Sequence, residues 1–286
     1  MAYLLALASA LMYGAADFTG GLATRRAATI PVVIFSQFSG LVLLALLLPI
    51  LPGSFPARAD LLWGVAAGLT GGGGVALLYR ALAVGRMAVV APTTAVCAVV
   101  IPVVAAMLLG ERPGGLAVLG IVLGIGAIVL VSQQTESASE PSATGTRGLP
   151  PGVGIALVSG VLIGLFFLTL AQTAPEAGMW PILAARITSV TLFAIAAVAR
   201  GMPLTLPRPA LALALGGGMV DMLANAAYLI AAREGQLSLV VTLSSLYPAS
   251  TVLLARVLLG ERLNARQLGG VGCALAAIVL IVIGGG

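Results

Sequence analysis

Asp17 and Asp221 each stand deep inside a long apolar run of the sequence. A charge at the centre of a membrane helix costs about 2.5–3.5 kcal/mol on insertion scales, so such residues face a bundle interior or a water-filled cavity. A carboxylate placed there can carry a proton, hold a substrate amine or cation, or bond to a neighbouring helix. Tyr13 lies four residues before Asp17 and so on the same helical face. Gly14, Gly20 and Gly21 around it let a neighbouring helix or a ligand come close. Asp221, Asn225 and Tyr228 fall at i, i+4 and i+7, one polar stripe on an otherwise apolar run. That stripe predicts a substrate-binding face with Asp221 charged or titrating; the bland alternative is interhelical hydrogen bonding, worth about 0.6 kcal/mol on average.

Arg186 lies in the first third of another apolar run. It can pair with an intramembrane Asp, hold a substrate carboxylate, or reach an interface. An Asp and an Arg in one cavity would suit a zwitterion such as an amino acid. Arg256, one turn from a helix end, is expected to snorkel to the interface. Tyr247 precedes Pro248 among Thr242, Ser244, Ser245, Ser250 and Thr251. Proline frees a backbone carbonyl that hydroxyls can satisfy again, so this segment reads as a bend, with Tyr247 as a cavity wall. Gln37, Trp63, Tyr79 and Trp180 are weaker candidates.

Other chemistries lack their parts. All 14 basic residues are Arg, with no His and no Lys, and the two cysteines, Cys97 and Cys273, lie in apolar runs. No metal site and no cofactor is expected. Gly71 to Gly74 is not a phosphate loop, because its lysine and strand context are missing; the run weakens its helix and reads as a flexible cavity wall. No nucleophile–base pair is present, so an intramembrane enzyme is the least favoured class.

The elements that must hold these residues follow from composition. Of 286 residues 60% are hydrophobic and 8% charged, against about 25% charged in an ordinary soluble domain. A soluble enzyme and a nucleic-acid binder are excluded; the net charge of +5 comes from arginines scattered between apolar runs. The chain reads as an all-α integral membrane protein of the cell membrane, whose partners are the bilayer, a small-molecule substrate and protons. Ten spans fit, at about 3–24, 31–50, 60–81, 87–109, 115–132, 152–171, 179–199, 209–232, 236–259 and 265–283. The first is a membrane helix rather than a cleaved signal, since it lacks a basic leader and contains Asp17. A polar linker at 133–151 separates two halves, 1–132 and 152–286.

The halves repeat. At an offset of 150 residues, Leu108-Leu109-Gly110-Glu111-Arg112 lies on Leu258-Leu259-Gly260-Glu261-Arg262. Both Glu-Arg pairs are expected to fix hairpin turns and cap helix ends. Five spans is an odd number, so the second copy enters the membrane from the other side. Ten transmembrane helices as two inverted five-helix repeats are the recurring plan of secondary transporters, with the site between the halves. An uncoupled facilitator or a channel is the alternative. Asp17 aligns with Phe167 and Asp221 with Gly71, so the duplication is broken at both acids. Gly120-x-x-x-Gly124 and Gly270-x-x-x-Ala274 can pack the fifth helix on the tenth or join two copies, leaving monomer and homodimer open. Nine arginines against three place both termini outside by the positive-inside rule.

The sequence resembles the drug/metabolite transporter superfamily, in its ten-helix EamA-type branch. The residues that carry this are Ala81-Leu82 with Gly85, Pro92 and Pro102, and Leu109-Gly110-Glu111-Arg112, matched by Ala231 with Gly235, Tyr247-Pro248, and Leu259-Gly260-Glu261-Arg262. Gly14-Ala15-Ala16-Asp17-Phe18-Thr19-Gly20-Gly21 is similar to a first-helix segment of a subset of these proteins. The resemblance implies a secondary transporter, usually an exporter of amino acids, other metabolites or toxic compounds, working by alternating access. It also implies cytoplasmic termini, opposite to the arginine count.

Overall fold

The computed structural model describes residues 1–51, 53–84, 87–131, 152–247, 249–250, 254 and 265–284. The linker at 133–151, Pro248, Thr251, Arg256, Glu261 and Arg262 lie outside the described residues. Ten α-helices are described: α1 (Ala2–Thr24), α2 (Thr29–Leu47), α3 (Arg58–Val84), α4 (Met87–Leu108), α5 (Gly115–Val131), α6 (Val153–Ala171), α7 (Trp180–Ala199), α8 (Arg208–Glu234), α9 (Leu237–Ser244) and α10 (Ala265–Gly284). Six helical stretches are long and apolar enough to cross a membrane, those of α1, α2, α3, α6, α7 and α8. Large apolar side chains such as Leu11, Leu46, Leu62, Val122, Ile195 and Val279 stand exposed on the outside. In water that surface would drive aggregation; in lipid it is the solvated face. The chain is a multi-pass membrane protein.

Several threonine hydroxyls inside the helices are satisfied locally. Thr19, Thr70, Thr169 and Thr188 each donate to the carbonyl four residues back at 2.8–3.1 Å. Two helix ends use a left-handed glycine. After α4, Gly110 has φ 106°, its N–H donates to Met107 and that of Glu111 to Ala106. After α7, Gly201 has φ 57°, with matching bonds from Gly201 to Val198 and from Met202 to Ala197. Both are Schellman closures, which need a residue free of the Cβ penalty.

The expected span at 236–259 differs. α9 stops at Ser244, and Ser245 and Leu246 form a turn. Proline at 248 can neither donate a backbone hydrogen bond nor tolerate the Ser244 carbonyl four residues earlier, so the helix is interrupted there. The glycine run Gly71 to Gly74 lies within an unbroken α3, and Gly71 and Gly72 line the cavity described below.

Packing joins the halves rather than separating them. The main helix contacts are α1 on α8, α3 on α6 and α7, α4 on α6, α2 on α7 and α8, and α5 on α10. Each joins a helix of the first half to one of the second. They also come in matched sets: α1 on α8 mirrors α6 on α3, and α2 on α8 mirrors α7 on α3. Glycines make the contacts close. A Cβ at Gly72 would stand 2.7 Å from the Ser189 Cβ, and one at Gly120 2.7 Å from Ile281. Gly120 thus serves packing of α5 on α10 within the chain.

Candidate functional site

A cavity of about 60 Å³ lies between the halves, lined by α1, α2, α3, α6, α7, α8 and Tyr247. Tyr13, Asp17, Arg186, Asp221, Asn225 and Tyr247 all line it, although they come from three helices, α1, α7 and α8, and from the position just after the turn that follows α9. Four positions of the 150-residue repeat meet there with both members present: Tyr13 with Ile163, Asp17 with Phe167, Gly71 with Asp221, and Val75 with Asn225. In every pair one member is polar and the other apolar or glycine.

The polar members form a chain of bonds. Arg186 donates from Nη2 to Asp221 Oδ2 and from Nη1 to Gln37 Oε1, each at 2.5 Å. The Asn225 amide donates to the Asp221 carbonyl at 2.8 Å and to its Oδ2 at 3.2 Å. The Tyr13 hydroxyl donates to Asn225 Oδ1 at 2.7 Å. Ser189 donates to Gln37 Oε1 at 3.3 Å. The side chain of Arg186 is 4% exposed and that of Asp221 16%. A buried charge without its partner is costly, so each fixes the other. Among the described residues Asp17 has no hydrogen bond and no ion pair, while Asp221 and the hydroxyls of Tyr13, Tyr79 and Tyr247 stand within its electrostatic reach.

Backbone proximity brings these groups together. A Cβ at Gly40 would stand 2.8 Å from the Gly218 carbonyl and 3.3 Å from the Arg186 guanidinium carbon. Gly218 itself abuts the Ser36 carbonyl. The two glycines let α2 lie against α7 and α8, which carries Gln37 to Arg186. Ser39 donates to the Leu215 carbonyl at 2.8 Å along the same seam.

Tyr228 departs from the expected stripe. It shares the face of Asp221 and Asn225, but seven residues rise about 10 Å along a helix. Its ring is fully buried against Phe167 at 4.6 Å, and its hydroxyl donates to the Phe167 carbonyl at 2.8 Å. It supports the wall that Phe167 forms and does not itself line the cavity.

Several polar residues act at one end of the bundle, where α1, α3, α5, α7 and α9 begin. Asp60 accepts from the amides of Ala57 at 3.2 Å and Ala174 at 2.8 Å. Ser54 donates to the Glu176 carbonyl through its amide and its hydroxyl. Glu111 accepts from the Leu237 amide at 2.7 Å, the Ser238 amide at 3.0 Å and the Ser238 hydroxyl at 2.6 Å. The Gly110 closure aims this carboxylate at the start of α9, where free amides favour an anion. Each of these three ties joins the first half to the second. Arg233 adds bonds to Gly178 and Thr173 at 2.9 and 3.0 Å. The sequence marks Glu111 by its repeat, yet it points to the local hairpin, whereas the capped helix lies 126 residues on. Nothing in the spacing of Asp60, Ser54 or Arg233 distinguishes them from ordinary interfacial residues.

The sequence model of the EamA-like transporter family matches residues 1–133 and again 150–283. No curated protein matches the chain. A solved crystal structure superposes with a TM-score of 0.69 at 18% identity, covering 99% of this chain and 96% of that one. At that identity the likeness speaks for the fold alone.

Proposed function

The chain belongs to the EamA-like transporter family, and from that premise we propose a secondary active transporter of a small metabolite working by alternating access. In this reading ten transmembrane helices form two inverted five-helix repeats, 1–132 and 152–286, joined by the linker at 133–151. The protein sits in the cell membrane as a monomer or homodimer and exports its substrate, the direction that the family resemblance favours. The substrate binds between the halves at Tyr13, Asp17, Arg186, Asp221, Asn225 and Tyr247, and Asp17 carries the coupling proton.

One observation carries the proposal: the cavity is lined by both members of four repeat pairs. A site on the repeat axis can be exposed to either side when the halves exchange conformations. A cavity of about 60 Å³ holds only water, whereas small-molecule pockets span about 300–1,000 Å³. Loading therefore requires the helices to part. The ties made by Asp60, Ser54 and Glu111 lie at one end, which suggests that the other end opens first.

The test is purified protein in liposomes that enclose a pH-sensitive dye, with amino acids, amines and organic cations added singly. We expect at least one compound to drive proton movement in wild type and not in Asp17→Asn. Solute flux without proton movement would leave a facilitator. Absence of any flux would reject transport.

A further inference from the structure

We infer that the cargo of this cavity is a singly charged ammonium compound with an apolar body, seated with its nitrogen at Asp17, and not a zwitterion. The inference rests on the transport reading above and names its substrate class.

The charges lining the cavity carry it. Asp17, Arg186 and Asp221 are the acidic and basic side chains on the wall. Arg186 gives one terminal nitrogen to Asp221 and the other to Gln37, and its side chain is 4% exposed. Its charge is cancelled inside the second half, and both terminal nitrogens are engaged. Asp221 is held further by Asn225. Asp17 has neither hydrogen bond nor ion pair among the described residues, so one carboxyl group faces the cavity without a partner and takes up its negative charge most favourably when a cation sits against it.

A zwitterion would bring a carboxylate to a site with no available cation. It would have to displace Asp221 from Arg186 and leave that acid unpaired in a low-dielectric site, which is strongly unfavourable. A monocation meets no such opposition. Most of the remaining wall is aromatic, aliphatic or glycine, with Tyr13, Phe166, Phe167 and Tyr247 on it. Aromatic faces attract ammonium groups, most strongly where water is excluded. Phe167 occupies the repeat position of Asp17, so the duplication has set an aromatic ring where its mate carries the anion.

The experiment compares matched cations and zwitterions. Binding to purified protein in detergent is measured by calorimetry for phenethylamine against phenylalanine, and for phenethyltrimethylammonium against N,N,N-trimethylphenylalanine. Liposome flux is measured for the second pair, whose cation cannot cross as a neutral species. The cations should bind about tenfold or more tightly than their zwitterions. Asp17→Asn should lose that binding while eluting as a monodisperse species, and Asp17→Glu should keep part of it. If Asp17→Asn does not fold, the wild-type selectivity and Asp17→Glu decide. Zwitterions bound as tightly as cations would overturn the cargo class and leave transport standing. If neither pair binds while the dye experiment registers only solutes that are not ammonium monocations, the cargo class again falls alone; if the dye is silent too, both readings fall.

Discussion

Arg186 and Asp221 meet at 2.5 Å, and both belong to the second half of the chain. The ion pair ties α7 to α8 without bridging the halves. Among the described residues, the hydrogen bonds by which the first half reaches it come from neutral groups, Gln37 at Arg186 and Tyr13 at Asn225. A displacement of one half against the other breaks those neutral bonds and can leave the charges paired.

Removing one partner alone should therefore be worse than removing both. Arg186→Leu leaves Asp221 uncompensated and should cost about 3–5 kcal/mol, whereas Arg186→Leu with Asp221→Leu should recover most of it. Thermal unfolding in detergent checks this; equal losses in the single and double variants would contradict it.

Two neighbouring glycines make a sharper test of packing. A Cβ at Gly218 would collide with the Ser36 backbone, while one at Gly216 meets nothing within 4 Å. Gly218→Ala should lose about 1–3 kcal/mol through overpacking. Gly216→Ala should be neutral or gain up to about 1 kcal/mol from helix propensity. Melting temperatures of the two variants should move in opposite directions or differ by several degrees.

Tyr228→Phe leaves the Phe167 carbonyl without its hydroxyl donor and should cost about 1 kcal/mol of stability. Because Tyr228 lies outside the cavity, ligand affinity should stay within twofold of wild type. Tyr13→Phe removes a bond at the cavity itself and should change affinity. Melting and calorimetry on the pair separate support of the wall from contact with the cargo.

Glu111→Ala removes the anionic cap of α9 together with one of the ties between the halves. With three bonds lost, two of them from backbone amides, the expected destabilisation is about 1–3 kcal/mol. Ser238→Ala removes only the hydroxyl bond and should cost less. Denaturation of both variants tests the ranking.

The all-helical membrane character was legible because period and composition are local properties: uncharged runs, separated by arginine and proline, mark where helices lie. The repeat was legible because the Leu-Leu-Gly-Glu-Arg match is contiguous. The partnership of Arg186 with Asp221 stood among three alternatives for Arg186, since residues 35 apart on different helices leave no periodic trace. Gln37 was ranked among weak candidates for the same reason. It matters only because Gly40 and Gly218 bring α2 against α8, and backbone proximity is a property of two helices together. Tyr228 shows the limit of face-sharing arguments: angle around a helix was read, and height along it was not. Glu111 shows a related limit, as its motif marks a helix end without saying which other helix begins nearby.

The interleaving of the halves also has a consequence during synthesis. α3, α4 and α5 find their main partners in α6, α7 and α10, which the ribosome has not yet made when the first five helices enter the bilayer. Their apolar faces can wait there, because lipid tails solvate them as well as leucines do. Gln37 cannot wait on the same terms, since the Arg186 and Ser189 that bond it arrive only later. The vulnerability of the nascent chain is thus concentrated in polar side chains of this kind, and a membrane protease or chaperone that senses unsatisfied polar groups would distinguish a half-made molecule from a finished one by these.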